Sequence, residues 1–286
     1  MYFKALILLI IRRFLNIFSG YGLRRFYPIK FITNFITPFL RSNYIEILGH
    51  RMFLDSLDSL NLSAPGVYEP FEVKIVKEII KNGDTVLDIG ANIGYYTLIF
   101  GRLVGPSGKV IAFEPDPDNF AILKMNVKMN GYKNIILINK AVTDRTGKIN
   151  LYISEKNKAD HVIYNTHEGR RSIEIEAIRL DNFFKNDNIK INLIKMDIQG
   201  AEGGVIRGIS SLLHDNIKII TEFYPYGLEL FGSNAEEFLN FFIKQGFKIY
   251  NLGEIKKKNT LINIKNLLEK YPPHKKGFTN LLCTKN

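Results

Sequence analysis

The chain has 286 residues, of which 46% are hydrophobic and 23% are charged. This balance is typical of a globular protein and excludes a largely disordered chain. The length allows one substantial core together with an additional segment. Cys283 is the single cysteine, so an intramolecular disulfide and a cysteine-based metal site are both excluded.

The net charge of +11 is concentrated at the two ends of the chain. Residues 1–45 carry seven bases and no acid, and residues 254–286 carry eight lysines and two acids, whereas the stretch between them carries 24 bases and 26 acids. An enzyme that binds duplex nucleic acid usually carries its basic face on the catalytic domain. The charge therefore does not favour a nucleic-acid partner.

Residues 1–45 form a basic amphipathic extension, and residues 46–286 form the main domain. The apolar run 5–11 is far shorter than the roughly twenty residues that span a bilayer, and the basic pair Arg12-Arg13 follows it, the reverse of the order in a secretory signal. Arg12, Arg13 and Asn16 share one arc of a helix, which is typical of a helix lying on a membrane surface. The alternative is that the extension packs on the core or on a second subunit.

From residue 69 onward, strands alternate with helices, and this pattern predicts an α/β, Rossmann-like fold with a mostly parallel sheet. The predicted helices are 69–81, 94–104, 116–131, 201–214 and 233–246. The predicted core strands are 85–89, 109–114, 134–142, 191–197, 217–223, 247–252 and 278–283, with an inserted hairpin formed by 148–153 and 172–178.

A glycine-containing turn joins the first predicted core strand to its helix, and α/β sheets bind nucleotides at such turns. Gly90 and Gly94 allow close backbone approach, and the helix N-terminus offers free N–H groups. Glu114 ends the next strand, 24 residues after Gly90, where its carboxylate can accept hydrogen bonds from both hydroxyls of a ribose. The sequence therefore predicts a nucleoside-containing cofactor.

S-adenosylmethionine fits this turn better than a dinucleotide does. Asn92 occupies the position of the middle glycine in the pyrophosphate-binding pattern, and the carboxylate of Asp88 would repel a pyrophosphate while attracting an ammonium. A nucleotide-dependent oxidoreductase is therefore disfavoured. The remaining alternative is that the turn is structural and binds no cofactor. The predicted cofactor-binding residues here are Asp88, Gly90, Ala91, Asn92, Gly94, Glu114 and Pro115.

Three segments resemble the FkbM family of methyltransferases: VLDIGANIGYYTLIF, KVIAFEPDPDNFAILKMNVKMN and INLIKMDIQGAEGGVIRG. The resemblance runs from about Tyr68 to the C-terminus, and its most specific block is K-x-D-x-x-G-x-E, which begins at Lys195. Gln199 departs from the glutamate that is common in the family. The resemblance implies O-methylation of sugar or polyketide hydroxyls, a seven-stranded sheet with an antiparallel last hairpin, and a place beside the adenine for Ala141 and Val142.

A hydroxyl acceptor needs a general base at the carboxyl ends of the core strands. Asp197 and Glu202 are the predicted catalytic residues, and Glu222 and His50 are the predicted substrate-contacting residues. Three of them have an alternative role: Asp197 orients the cofactor, Glu202 stabilises a helix N-terminus, and His50 is a structural histidine with its hydrogen bonds satisfied. No metal site is assigned, since Asp197 and Glu222 alone are too few ligands.

The function predicted from these features is an S-adenosylmethionine-dependent methyltransferase that acts on a hydroxyl of a sugar, glycolipid or polyketide-like molecule. A nucleic-acid methyltransferase is disfavoured because Met196-Asp197-Ile198-Gln199 replaces the D/N-P-P-Y-type turn. An inactive binding module that retains the fold is the third alternative. The expected partners are a small-molecule or glycan acceptor and the cytoplasmic face of a membrane, and the oligomeric state is left open.

Overall fold

A computed structural model describes residues 44–63, 67–253 and 261–285. The chain divides into two compact units, Met1–Ile45 and Glu46–Asn286. Residues 1–43 of the predicted amphipathic extension lie outside the described residues, so its membrane contact stays a prediction. Within the described ranges, no helix is long and apolar enough to cross a membrane.

The elements follow one another in the alternating order that the sequence predicts. The strands are β1 (Ile45–Ile47), β2 (His50–Met52), β3 (Thr85–Ile89), β4 (Lys109–Phe113), β5 (Ile135–Ile138), β6 (Ala141–Val142), β7 (Gly147–Tyr152), β8 (Ser172–Ile178), β9 (Leu193–Met196), β10 (Lys218–Phe223), β11 (Lys248–Asn251) and β12 (Thr279–Thr284). The α-helices are α1 (Pro70–Ile79), α2 (Tyr95–Val104), α3 (Pro117–Met129), α4 (Leu180–Phe183), α5 (Glu202–Ile206), α6 (Pro225–Phe231), α7 (Ala235–Lys244) and α8 (Ile264–Lys270).

Seven strands form the central sheet in the order β11-β12-β10-β9-β3-β4-β5. β12 runs antiparallel to both β10 and β11, and the pairings among β10, β9, β3, β4 and β5 are parallel. Apolar side chains on the strands and helices form the core, including the buried Leu87, Ile194, Phe223 and Phe238. This is the Rossmann-like fold of class I methyltransferases, as predicted, and the carboxyl ends of β3, β4, β9 and β10 share one edge.

The predicted strand 134–142 is wrong as a single element, because it divides into β5 and β6. β5 belongs to the central sheet, while β6 pairs with β8 in a separate three-stranded sheet of order β6-β8-β7. Between them, the side-chain amide of Asn139 donates to the carbonyl groups of Glu114 and Pro115, at 2.7 and 3.1 Å. The chain therefore turns at Asn139. The inserted hairpin is confirmed as the antiparallel pair β7 and β8.

The predicted helix 201–214 is also too long, since α5 ends at Ile206 and only a short 3-10 turn, Ser210–Leu212, follows. Gly203, Gly204 and Gly208 have low helix propensity, and they allow close packing that a side chain would prevent. A Cβ on Gly204, for example, would lie 2.7 Å from the ring of Phe231.

The helix predicted from residue 233 starts slightly later, as α7. Its N-cap is Asn234, whose side chain accepts from the backbone N–H groups of Glu236 and Glu237, at 2.9 and 3.0 Å. Several short elements were not predicted, among them α6, α8 and the β1–β2 pair. Elements of three to seven residues are too short to show a clear hydrophobic period.

Candidate active site

A cleft opens at the carboxyl edge of β3, β4 and β9, the edge at which sheets of this kind bind their ligands. The cleft brings together most of the predicted site residues: Asp88, Gly90, Ala91, Asn92, Glu114, Pro115, Ala141, Val142 and Asp197. Gly94, Glu202, Glu222 and His50 are not among its lining residues.

The turn after β3 is held by backbone bonds to the neighbouring strand. The N–H groups of Gly90 and Ala91 donate to the carbonyl of Phe113, at 3.0 and 2.9 Å. Gly90 has φ +82° and lies so close to the carbonyl of Asp197 that a Cβ would collide with it. A Cβ on Gly94 would lie 2.6 Å from Leu123 Cδ1 on α3. Both glycines are therefore required by packing within the protein.

Glu114 is 5% exposed and faces the cleft. Its two carboxylate oxygens accept from the backbone N–H groups of Asn92, at 2.7 Å, and Asp116, at 2.9 Å. Burial raises the pKa of Glu114 to about 8. Because a carboxylate oxygen has two lone pairs, each still has capacity for a hydroxyl donor.

Asp88 is 1% exposed and accepts from Thr97 Oγ1 at 2.6 Å through one oxygen. Its other oxygen, Oδ1, has no hydrogen-bond partner among the described residues. Lys195 is its register partner on β9. Burial raises the pKa of Asp88, and the ammonium of Lys195 opposes this shift. The carboxylate thus lies between a fixed lysine and the cleft.

Asp197 follows β9 directly and is the predicted catalytic carboxylate that reaches the cleft. It accepts from Lys195 Nζ at 3.2 Å and from Gln199 Nε2 at 3.0 Å, and its side chain is 24% exposed. Burial alone would lower the pKa of Lys195, but the nearby carboxylates, Asp197 foremost, raise it above its usual value. Lys195 therefore stays charged beside Asp197. Gln199, which departs from the family pattern, helps to orient this carboxylate.

Glu202 and Glu222 lie behind the cleft wall. Glu202 is fully buried and accepts from the N–H of Ile198 at 2.9 Å, which holds the turn between β9 and α5. Burial raises the pKa of Glu202 to about 7. Glu222, 6% exposed at the end of β10, has a pKa that is raised by burial and then by the charge of Asp197. These placements favour positioning roles over direct proton abstraction.

His50 does not reach the cleft. Its Nε2 lies 2.6 Å from the hydroxyl of Tyr132, in the loop after α3, and its pKa is lowered to about 4 by burial and then by the charge of Arg102. Residues that follow a few positions later in the chain do approach the site, since Leu60 lines the cleft and Ser59 Oγ accepts from the N–H of Lys158 at 2.7 Å.

An acidic wall, formed by Glu69 and Glu72 at the start of α1, was not predicted, and it borders a neighbouring groove and not the cofactor cleft. Both carboxylates accept from the hydroxyl of Tyr96, at 2.9 and 3.4 Å, and both accept from the side-chain amide of Asn280. Burial raises the pKa of Glu72 to about 8. Glu72 stands on the buried face of an amphipathic helix, and this polar residue in an apolar position was the available sequence signal.

The β7–β8 insertion also contributes unpredicted residues to the cleft, namely Lys158, Ala159, His161 and Ile163. Its attachment is specific: the side-chain amide of Asn119 donates to the carbonyl of Lys158 at 2.8 Å, and the hydroxyl of Tyr164 donates to the carbonyl of Gln199 at 2.5 Å. Among the residues that the structure describes, no group of three or more His, Cys, Asp or Glu residues is arranged to hold a metal ion.

The family model of the methyltransferase FkbM domain matches residues 88–249, which span the glycine turn, β9 and β10. The chain belongs to the FkbM methyltransferase family. S-adenosylmethionine is the methyl donor of this family, so the cofactor predicted from the sequence is confirmed.

The chain is also similar in sequence to three named methyltransferases. The chain is 30% identical over 183 residues to the 2-O-methyltransferase NoeI of Sinorhizobium fredii, covering 56% of this chain and 73% of the relative. It is 26% identical over 154 residues to the hexuronic acid methyltransferase AglP of Haloferax volcanii, covering 53% of this chain and 61% of the relative. With Methyltransferase 1 of Beauveria bassiana it shares 27% identity over 144 residues, 43% of this chain and 57% of the relative. The chain thus spans about three fifths of the length of two of these relatives.

Proposed function

We propose that this methyltransferase transfers a methyl group to a hydroxyl of a sugar, glycolipid or polyketide-like small molecule. The observation that carries the proposal is the position of Asp197, which faces the cofactor cleft with its carboxylate oriented by Lys195 and Gln199. The printed activities of NoeI, a 2-O-methyltransferase, and AglP, a hexuronic acid methyltransferase, support a hydroxyl-bearing or sugar acceptor.

The residues of the cleft fit S-adenosylmethionine. Glu114 offers a carboxylate with free lone pairs for the ribose hydroxyls, and the unpartnered Oδ1 of Asp88 offers a negative group for the ammonium of the methionine part. Phe113, Pro115 and Val142 supply apolar surface for the base. When bound, the cofactor supplies an electrophilic methyl group on a sulfonium.

Asp197 is the proposed general base. A hydroxyl is a weak nucleophile until its proton leaves, and a positioned base contributes roughly 10²–10⁴-fold to such a reaction. Asp197 accepts that proton, while Lys195 keeps the carboxylate in place before and after the transfer. Glu202 acts indirectly, because the hydrogen bond that it accepts from the N–H of Ile198 holds the turn that carries Asp197 and Gln199.

The acceptor is placed beside Asp197, in the part of the cleft that Tyr68 lines. Glu222 and the acidic wall of Glu69 and Glu72 lie outside the cleft lining. Burial and then the charge of Asp197 raise the pKa of Glu222. Several carboxyl groups next to the base disfavour a phosphate backbone, since nucleic-acid sites rely on lysine and arginine. A glycan or small-molecule acceptor suits this surface better than RNA or DNA.

The enzyme is further proposed to act at the cytoplasmic face of a membrane, where its cofactor is available. The support is the acid-free basic segment 1–45 with its amphipathic pattern. In the full-length protein, Arg12→Glu with Arg13→Glu should reduce sedimentation with anionic liposomes, whereas Lys74→Glu with Lys77→Glu on α1 changes the net charge equally and should not. Equal effects of the two pairs would contradict a specific membrane contact.

The acceptor is tested by transfer of a labelled methyl group from S-adenosylmethionine into a fractionated cell extract. Wild-type protein should label a base-stable glycan or small-molecule fraction, and Asp197→Asn should not. Labelling confined to RNase-sensitive or DNase-sensitive material would favour a nucleic-acid methyltransferase. Cofactor binding without label in any fraction would favour an inactive binding module.

A further inference from the structure

Besides Asp88 Oδ1, two buried polar atoms of residues that line the cofactor cleft have no hydrogen-bond partner within the described part of the chain: His161 Nε2 and Asn119 Oδ1. The side chain of His161 is 5% exposed, and Asn119 is 2% exposed. Both residues line the cleft. Because an unpaired buried polar group is costly, these two atoms indicate a ligand group that pairs with them.

The unpartnered atom of His161 is a donor. The backbone N–H of Ser154 donates to its Nδ1 at 3.0 Å, so Nδ1 carries a lone pair and the proton of the neutral ring lies on Nε2. Burial lowers the pKa of His161, which favours this neutral form. The carboxylate of Asp116 lies 3.9 Å from Nε2, too far for a hydrogen bond.

The unpartnered atom of Asn119 is an acceptor. Its side-chain nitrogen donates to the carbonyl of Lys158 at 2.8 Å, and since a carbonyl only accepts, the orientation of the amide is determined. The backbone N–H of Asn119 donates to the other oxygen of Asp116 at 2.8 Å. A free donor and a free acceptor therefore belong to residues that line the same cleft, one on the β7–β8 insertion and the other on α3.

We propose that His161 and Asn119 together recognise the edge of the adenine base of the cofactor. Adenine presents an amino group beside ring-nitrogen acceptors, and this pattern complements the acceptor of Asn119 and the donor of His161. The surrounding cleft supplies apolar surface for a flat ring from Phe113, Pro115 and Ile163, and Glu114 marks the ribose position close by. The insertion thereby gives the cofactor site its base specificity.

The test compares the affinities of S-adenosylhomocysteine and S-inosylhomocysteine, measured by calorimetry. In the inosine ligand a carbonyl replaces the amino group of adenine, and the adjacent ring nitrogen carries a proton. Wild-type protein should prefer the adenine ligand by about 100-fold, because both groups of the pair face a mismatched partner in the inosine ligand. His161→Ala or Asn119→Ala should weaken binding of the adenine ligand by about 10-fold and change the inosine ligand less than about 2-fold. His167→Ala, at an exposed histidine of the same insertion, is the matched control and should change neither.

If the His161 and Asn119 variants lose the same affinity for both ligands, the pair has a structural role only and the proposal is wrong. Equal affinity of wild-type protein for the two ligands would also overturn it. A second measurement uses wild-type protein only and needs no variant. In wild-type protein labelled with ¹⁵N, saturation with S-adenosylhomocysteine should shift the Nε2 resonance of His161 in the direction of a new hydrogen bond. An unchanged resonance at saturation would also overturn the proposal.

Discussion

The ammonium of Lys195 lies 3.2 Å from the carboxylate of Asp197 and 4.5 Å from the centre of the Tyr96 ring. Lys195 is also the register partner of Asp88, so one buried cation serves both the predicted cofactor carboxylate and the proposed base. Its contacts come from two adjacent parallel strands and one helix. This arrangement leads to the first two predictions.

Asp197→Asn should lower turnover by at least about 10²-fold while cofactor affinity and folding are retained, because the change is nearly isosteric and removes only the proton acceptor. Glu202→Gln should have a smaller effect, since Glu202 is buried behind the cleft wall and holds the turn at Ile198. Both are measured by turnover together with calorimetry of S-adenosylhomocysteine. Loss of cofactor binding in Asp197→Asn would make Asp197 an orienting ligand, and a larger loss in Glu202→Gln would move the base there.

Lys195→Met should lower turnover while folding is retained, because Asp197 loses the ammonium that holds its carboxylate from 3.2 Å away. Lys195→Arg keeps the positive charge and should restore part of the turnover. Turnover of both variants is measured at saturating cofactor. Equal losses in the two variants would indicate that Lys195 acts only through packing.

Glu114 makes binding of the nucleoside part depend on pH. Burial raises its pKa to about 8 in the free protein, and ribose hydroxyls bind its ionised form, so affinity should increase as the pH rises through this value and should level off about one pH unit above it. 5′-Methylthioadenosine is the suitable probe because it lacks the α-amino group of the methionine part, which would titrate in the same range. Glu114→Gln should bind more weakly, by about 10-fold, and without this pH dependence.

Glu72→Gln is the matched control for that experiment, because burial also raises the pKa of Glu72 to about 8 but its carboxylate lies on the acidic wall. It should keep the pH dependence of wild-type protein. If Glu72→Gln abolishes the dependence and Glu114→Gln keeps it, the ribose assignment is wrong.

Gly90→Ala should destabilise the fold more than Gly131→Ala does. Both glycines have positive φ, +82° and +74°, but a Cβ at Gly131 meets nothing within 4 Å, while one at Gly90 collides with the carbonyl of Asp197. The left-handed backbone lowers the free energy of unfolding of each variant by roughly 1–2 kcal/mol, and the collision lowers that of Gly90→Ala by about 1–3 kcal/mol more. The free energy of unfolding in urea measures the difference. Equal values would show that β3 and the turn after β9 are not packed this closely.

His50→Gln should leave turnover unchanged, because His50 contacts Tyr132 and does not line the cleft. Its effect should appear in acid stability. The folded-state pKa of His50 is lowered to about 4, so its contribution is fully present above the unfolded value near 6.5 and is lost as the pH falls toward 4. The melting temperature of the variant should therefore decrease less between pH 7 and pH 5 than that of wild-type protein. His274→Gln, at an exposed histidine, should behave like wild type.

The sequence by itself determined the cofactor turn and the order of the core. Strand β3 has the predicted bounds, Asp116 caps α3 as its position before Pro117 indicates, and Asp88, Glu114 and Asp197 reach one cleft. These features follow from local chemistry, namely buried hydrophobic runs, caps and glycine turns, and from the rule that parallel strands end at the same edge. Each is encoded within a few neighbouring residues.

Only the tertiary structure decided which side chains meet across the fold. The acidic wall depends on Glu72 of α1 meeting Asn280 of β12, 208 positions apart in the chain, and His161 reaches the cleft because Asn119 and Ser59 hold the loop after β7. The same packing buries Glu202 and takes His50 to Tyr132, away from the cleft. Hydrophobic periodicity cannot specify such contacts, because it reports which face of an element is buried and not which distant side chain lies against it.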